Sequence, residues 1–497
     1  MCLGKLGENK DENISKISEL TGVSTEYINK QISASYVKED TFVPIKKVAK
    51  DNVDLKEKLL QISGIKITST KARVYPLGEE AAHLIGYVQA ISAQELEESG
   101  QKGYNSSSII GKAGLEKAYE DRLRGIDGIE IYIEDEQSNK LKQLAKQDKK
   151  DGEDVKLTID SAIQKQLYNE LKNDKGLFVV MNPHTGELLA TVSTPSYNSN
   201  DFVLGITTEK WNELNNNSNK PLYNRFAQRY CPGSTFKPIT AAIGLTSGKL
   251  NTNTTFSYSG LSWQKDSSWG NNHVTTLTAY NGAKNIENAI IHSDNIFFAQ
   301  AALQIGNETF CNELNKLAFN EQIDFPITLQ KSQYSNSDKI STEIKLADSG
   351  YGQGDILVNP IHMASIYSAF ANNGNMLKPY IEYKQNSKTE YLKENVFSNE
   401  AANIIKNDMI QVVENNEGTA KDMRVNGLTI AGKTGTAELK TSSQDNESGT
   451  LGWFNCFTIN NQSGNDMLIV SMVENVQDNS LGGSHYLIKK IKTLFTK

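Results

Sequence analysis

In the stretch Cys231-Pro-Gly-Ser-Thr-Phe-Lys-Pro238 a serine and a lysine stand three residues apart. On a helix that spacing puts a hydroxyl and an amine on one face. A free serine hydroxyl is a weak nucleophile at neutral pH. A buried lysine with a lowered pKa can take its proton, and a helix N-terminus favours the negative charge that develops. Ser234 and Lys237 are therefore candidates for the nucleophile and the base of an acyl transfer. The spacing alone is a weak signal, because Ser-x-x-Lys recurs at Ser35, Ser63, Ser99 and Ser262, where surface pairs are the ordinary reading.

Two further motifs could complete such a site. Ser293-Asp-Asn295 runs into the apolar stretch Ile296 to Leu303, a polar turn before a helix. There Ser293 can relay a proton and Asn295 can hold a substrate amide, while the plainer reading makes Ser293 a helix N-cap. Ser-x-Asn recurs at Ser196 and Ser463. Lys433-Thr-Gly-Thr436 lies between Leu428 and Lys440 in a strand-like run, with a glycine that permits close backbone approach. As an edge strand it could pair with an extended peptide, and Lys433 could meet a carboxylate; its ordinary alternative is a solvated strand lysine. Lys-Thr-Gly occurs once in the chain, and the three motifs in this order argue for one site better than any does alone.

The elements that must hold these residues are legible in outline. Pro232-Gly233 is turn chemistry, and a helix begins at about Ser234 and stops at Gly248, with Pro238 tolerated in its first turn. From Val155 a strand to Asp160, a helix from Ser161 and apolar strands at Leu177–Met181, Leu188–Val192 and Leu468–Val473 predict an α+β domain with a mostly antiparallel sheet. The boundary is placed near Asp154. Before it, two short helices flank Gly22-Val23-Ser24 between Asp11 and Ile32, and Ile65 to Val74 is strand-like. Tyr75-Pro-Leu-Gly78 leads into a helix over Ala81 to Tyr87, and Ile109 to Tyr119 reads as a glycine-pinned turn into another helix. Ile129 to Ile133 alternates as a strand, and Gln143 to Asp154 is a charged connection. Asn215, Asn216 and Asn217 mark a loop in the second domain.

Composition bounds the function. The 497 residues are 38% apolar, enough for two or three domains, and a net charge of −7 without a basic run argues against a nucleic-acid partner. Cys2, Cys231, Cys311 and Cys456 are scattered like free thiols, and Cys231 is read as a small buried group rather than a nucleophile. The histidines, His292 among them, lack metal-ligand spacing. No stretch of about 18 apolar residues suits a spanning helix, and the first thirty residues carry no export signal.

The three motifs together resemble the active-site set of penicillin-binding proteins and serine β-lactamases. Arg73-Val-Tyr-Pro-Leu-Gly78, His83-Leu-Ile-Gly-Tyr-Val88, Gly111-Lys-Ala-Gly-Leu-Glu116, Trp263 to Gly270, Ala347-Asp-Ser-Gly-Tyr-Gly-Gln-Gly354 and Met472-Val-Glu-Asn-Val-Gln-Asp478 extend the likeness nearly end to end. They resemble low-affinity class B penicillin-binding proteins of the methicillin-resistance type. That resemblance implies a D,D-transpeptidase cross-linking peptidoglycan on the extracytoplasmic face of the membrane, with an elongated dimerisation-type pedestal over 1–154 and a penicillin-binding domain over 155–497. It implies Ser234 as nucleophile, Lys237 as its base, and Ser293 and Asn295 in the cleft. Lys433 and Thr434 would meet the substrate carboxylate on the Lys433-Thr434-Gly435-Thr436 strand, with backbone N–H groups of Ser234 and Thr436 as the oxyanion hole. No cofactor or metal is implied. The partners implied are stem peptides ending in D-Ala-D-Ala, β-lactams and a cell-wall glycosyltransferase. The chain departs from the family at its start, where Met1-Cys-Leu-Gly4 enters after the membrane helix, a small extra domain and an Arg-Gly segment.

The rivals are a β-lactam sensor, an inactive remnant and a serine β-lactamase. The last resembles Glu-x-Glu-Leu-Asn with a water-activating first glutamate. Here Glu-Leu-Asn stands at Glu213 and Glu313, with Trp211 and Cys311 in that first position.

Overall fold

The computed structural model describes residues 1–100, 103–337, 339–385, 388–438, 449–461, 465–476 and 483–496. Lys102, Leu439, Lys440, Ser463, Gln477 and Asp478, which belong to motifs quoted above, lie outside them. The chain forms two compact units, Met1–Asp154 with Ser196–Leu222, and Val155–Pro195 with Tyr223–Lys497. Among the described residues no helix is long and apolar enough to cross a membrane.

The first unit opens with α1 (Lys10–Thr21) and α2 (Thr25–Ile32). Gly22, with φ +65°, ends α1, and the Ser24 hydroxyl accepts from Tyr27 N to start α2. Their apolar faces bury Ile14, Ile17, Ile28 and Ile32 with Val43 and Ile62. Ile65 to Val74 forms no strand, a correction to the sequence reading: β-rich composition needs a neighbour to become a strand. The helix expected to reach Tyr87 is shorter, a 3₁₀ turn Gly78–Ala81 and one α turn Ala82–Ile85 stopped by Gly86. β1 (Val88–Ala90) pairs antiparallel with β2 (Ile109–Gly111), and α3 (Gly114–Ala118) follows. The quoted motifs converge here on one carboxylate. Arg73 Nε and Nη2 donate to Glu116 at 2.7 and 3.0 Å, and the Tyr75 hydroxyl donates to it at 3.1 Å. Gly86 has to be glycine, because a Cβ there would lie 1.9 Å from the Ala113 carbonyl oxygen.

β3 (Ile129–Glu134) pairs with β4 (Lys140–Gln147), so Gln143 to Gln147 is the return strand of a hairpin and not a connection; both strands are exposed throughout. Asn215 and Asn216 complete the helix Thr208–Asn216 instead of forming a loop, because the Thr207 hydroxyl accepts from Lys210 N and starts that helix firmly.

The second unit is built on α4 (Ser161–Leu171), β5 (Gly176–Met181), β6 (Leu188–Thr194), α5 (Lys237–Thr246), α6 (Ile286–Ile291) and α7 (Asn295–Ile305). There follow α8 (Glu343–Gly350), α9 (Pro360–Ala371), α10 (Asn399–Glu414), β7 (Thr429–Glu438), β8 (Thr450–Ile459), β9 (Leu468–Glu474) and α11 (His485–Lys492). The expected strand Val155 to Asp160 is reduced to a single bridge, Leu157 to Glu382, and Asp160 caps α4 through Ala162 N and Ile163 N. The sheet order is β7-β8-β9-β5-β6, antiparallel throughout. The α+β architecture with an antiparallel sheet flanked by helices is thus the one the sequence predicts. Every residue of β5 is buried, so this inner strand is covered on both faces and reads as an unbroken apolar run. α4 and α11 pack on the sheet, as do α9 and α10, and the last of these lies along the edge strand β7.

Candidate active site

Ser234 sits on a 3₁₀ turn, Gly233–Phe236, and the α-helix proper begins three residues later than expected, at Lys237, with Pro238 in its first turn. Three glycines bring backbone to backbone around that turn. Gly233 has φ +53°, and a Cβ on it would lie 2.3 Å from the Thr436 carbonyl oxygen. A Cβ on Gly435 would lie 2.8 Å from Thr235 Cγ2, and one on Gly352 would lie 2.1 Å from the Gly233 carbonyl oxygen. The Gly233 amide donates to Gly352 O at 3.0 Å. Side chains complete the brace: the Tyr367 hydroxyl donates to Thr235 O at 2.6 Å and Trp453 Nε1 to Cys231 O at 3.0 Å. Cys231 is buried, with its thiol pushed up to about 12 by desolvation and donating to Gly352 O at 3.1 Å; it packs, as expected, and is no nucleophile.

The structure joins residues far apart in the chain. Lys237 Nζ donates to Ser293 O at 2.6 Å, Ser293 Oγ at 3.1 Å and Asn295 Oδ1 at 2.6 Å. Lys433 Nζ donates to the same Ser293 Oγ at 2.9 Å and to Thr434 O at 3.1 Å. Both lysines are 0% exposed, so the solvated-lysine alternative for Lys433 does not hold. Desolvation, then the neighbouring Lys433 charge, hold Lys237 well below the ordinary lysine range, against a smaller pull from Asp294. Desolvation alone brings Lys433 down to about 7. Ser293 Oγ accepts from both amines, which uses its two lone pairs and leaves its own proton for the cleft. The Ser234 side chain is partly exposed, and among the described residues its hydroxyl makes no hydrogen bond.

Asp294, not Ser293, caps α7: its Oδ1 accepts from Ile296 N at 2.9 Å and Phe297 N at 3.3 Å. Ser293 is released from capping because its backbone is left-handed, φ +57°, which aims the side chain at the lysines. The other oxygen of Asp294 accepts from the Tyr258 hydroxyl and, at 2.9 Å, from the Tyr280 hydroxyl. These two phenols and the aspartate escaped sequence reasoning; the acidic middle residue of the motif was the available signal. Asn295 is tied at both ends, its Nδ2 donating to Thr275 O at 2.8 Å. His292 stacks on Tyr280 with ring centres 4.2 Å apart, the structural place expected of it. On β7, Thr434 donates through its hydroxyl to Thr419 Oγ1 at 2.8 Å, and Gly435 and Thr436 flank the serine turn. Among the described residues no cluster of His, Cys, Asp or Glu could hold a metal ion.

An antiparallel sheet whose edge strand closes on a serine turn, with two buried amines converging on a second serine, defines a serine-type transpeptidase fold. Comparison with known proteins agrees. Residues 176–491 match the penicillin-binding protein transpeptidase domain, and residues 4–157 match the penicillin-binding protein dimerisation domain. Penicillin-binding protein 3 of Bacillus subtilis is 42% identical over 99% of this chain and 72% of its own length. The peptidoglycan D,D-transpeptidase MrdA of Acinetobacter baumannii is 30% identical over 88% of this chain and 67% of its own. Among solved structures, the complex between a penicillin-binding protein (PBP2) and MreC from Helicobacter pylori aligns with a TM-score of 0.77 at 25% identity, covering 98% of this chain and 92% of that one. Pseudomonas aeruginosa PBP2 in complex with WCK 5153 gives a TM-score of 0.71 at 26% identity, covering 86% and 91%. The chain belongs to the class B penicillin-binding proteins, with a transpeptidase and a dimerisation domain.

Proposed function

We propose that the chain is a peptidoglycan D,D-transpeptidase that works through an acyl-enzyme on Ser234, on stem peptides ending in D-Ala-D-Ala, and that β-lactams acylate the same serine. The observation that carries this is the hydrogen-bonded path Lys237–Ser293–Lys433 beside the serine turn. Neutral Lys237 takes the proton as Ser234 Oγ attacks the carbonyl carbon of the penultimate D-Ala. The oxyanion is met by the backbone N–H groups of Ser234 and Thr436, donors fixed in a turn and a strand that need no reorganisation. Ser293 hands a proton to the leaving D-Ala amine. An acceptor amine then attacks the ester, losing its proton by the same path in reverse, and Ser234 is restored. Lys433 and Thr434 meet the terminal carboxylate, Gly435 keeps β7 close to the serine turn, and Asn295 positions Lys237 while offering its second N–H to a substrate amide.

Residues 1–154 serve as a pedestal of the dimerisation type and 155–497 carry the chemistry, at the extracytoplasmic face of the membrane beside a cell-wall glycosyltransferase. A scaffold like MreC, seen with the H. pylori relative, is a further partner. The finer assignment, to the low-affinity methicillin-resistance type, rests on the segments around Arg73, Trp263 and Ala347. A β-lactamase or sensor reading gains no support from the glutamates: Glu313 Oε1 is held by Lys316 at 2.6 Å, and Glu213 pairs with Lys210 at 3.0 Å. Fluorescent penicillin followed by mass spectrometry tests the core. A label on the Ser234 peptide that disappears in Ser234→Ala is expected, and a label retained on the variant refutes the assignment. Slow labelling at low antibiotic concentration tests the affinity class.

A further inference from the structure

The turn that follows α10, from Asn415 to Ala420, belongs to none of the three motifs, yet it touches one of them and the residue that precedes another. The Thr434 hydroxyl donates to Thr419 Oγ1 at 2.8 Å, and Glu417 stands 3.5 Å from His292 Nε2, next to Ser293. The turn is pinned from behind. Arg424 donates through Nε to Val413 O at 2.8 Å, through Nη2 to Glu414 O at 2.7 Å and through both amino groups to Asn416 Oδ1 at 3.2 Å. Ala420 N donates to Val412 O at 3.0 Å and Gly418 N to Asn415 O at 3.0 Å, while a Cβ on Gly418 would lie 2.3 Å from Val412 O. A guanidinium spent on the end of one helix and a glycine that admits no side chain place a single hydroxyl behind Thr434.

We infer that Thr419 is a positioning residue for carboxylate recognition, a hydroxyl that supplies the proton Thr434 needs behind it when Thr434 turns its own towards the substrate. The inference rests on the reading of Ser234 and Thr434 given above. A hydroxyl has one proton and two lone pairs, so Thr434 cannot donate to Thr419 and to an anion together. In the free site its proton points at Thr419. A carboxylate only accepts, so when it arrives the Thr434 proton swings to it, and Thr419 rotates its own proton onto the oxygen of Thr434. Two aligned hydroxyls then end on an anion, a charge-assisted bond strengthened by the one behind it. The ligand class is the terminal carboxylate of a peptide or of a penicillin.

The test measures the second-order rate of Ser234 acylation by a penicillin and by the methyl ester of the same penicillin. Thr419→Val keeps the volume and removes the proton. It should slow acylation by the free acid roughly three- to tenfold, the size of one net hydrogen bond, and leave the ester unchanged. Thr419→Ser should restore the acid rate, and Thr419→Val should cost nothing more in a Thr434→Val background. Equal loss for acid and ester, a serine variant no better than valine, or an acid rate equal to wild type would overturn the inference. If Ser234 of the wild-type chain takes no label at all, the transpeptidase reading falls with it.

Discussion

Lys237 and Lys433 share one oxygen, and that sharing predicts the pH dependence of acylation. Their nitrogens lie 3.1 and 2.9 Å from Ser293 Oγ. They are therefore no more than roughly 6 Å apart, where two unit charges at an effective dielectric constant of about 20 repel by about 2.8 kcal/mol. That is about two pH units. Burial weighs on both amines, and Lys237 also has its neighbour's charge against it, so Lys237 gives up its proton first while Lys433 is still an ammonium. In the proposed reaction, attack by Ser234 needs neutral Lys237, so acylation should rise with pH through the Lys237 midpoint. It should fall again as Lys433, at about 7, loses the charge proposed to meet the carboxylate. In Lys433→Met the repulsion is gone, the rising limb moves up by about two pH units, and the falling limb disappears. Lys433→Arg keeps a charge and should keep the rising limb near its wild-type place. The assay is fluorescent-penicillin acylation from pH 5 to 10, read as midpoints, because the methionine variant also lowers the overall rate. A methionine variant whose rising limb coincides with wild type would show that the Lys433 charge does not act on Lys237, and the assignment of base and partner would fail.

Three further outcomes are expected. Gly233→Ala puts a methyl group 2.3 Å from the Thr436 carbonyl in a residue with φ +53°, so acylation should fall by at least about a hundredfold, with far-UV circular dichroism unchanged. Asp294→Ala removes the cap of α7 and the acceptor of two phenols, costing about 1–2 kcal/mol in thermal unfolding and slowing acylation, whereas Asp294→Asn keeps the cap and should lose less. The penicilloyl ester on Ser234 should outlast many natural turnovers, because its tethered leaving group blocks the acceptor and, among the described residues, no carboxylate hydrogen-bonds to Ser234, Lys237, Ser293 or Lys433. Intact mass followed over time checks this, and release within seconds with steady nitrocefin hydrolysis would point to a β-lactamase.

The motifs themselves were legible because each is a few residues long and its spacing speaks for local geometry. Their convergence was not, since Lys237 and Ser293 stand 56 positions apart and Lys433 and Ser293 stand 140 apart. The choice of cap within Ser293-Asp-Asn295 depended on a left-handed backbone at Ser293 that the residue types do not announce. A solvated strand lysine stood as the ordinary alternative for Lys433 because β7 is an edge strand. α10 and the serine turn cover that edge, so its middle residues are buried without alternation. Ile65 to Val74 carried strand composition without a partner strand to realise it, and Val155 to Asp160 found only the single bridge to Glu382. The sheet was readable because β5 is apolar from end to end and β9 opens on Leu468, Ile469 and Val470.

The glycines that meet beneath Ser234 have an evolutionary consequence. At Gly233, Gly352 and Gly435 even one carbon would collide, at 2.3, 2.1 and 2.8 Å. At these three positions the floor of the cleft is packed too closely for any side chain to be added. A lineage under antibiotic selection therefore has to alter the walls: the turn bearing Thr419, the phenols behind Asp294, or strand positions beyond Thr436. Variants that discriminate drug from peptide should accumulate there, while the three glycines stay silent.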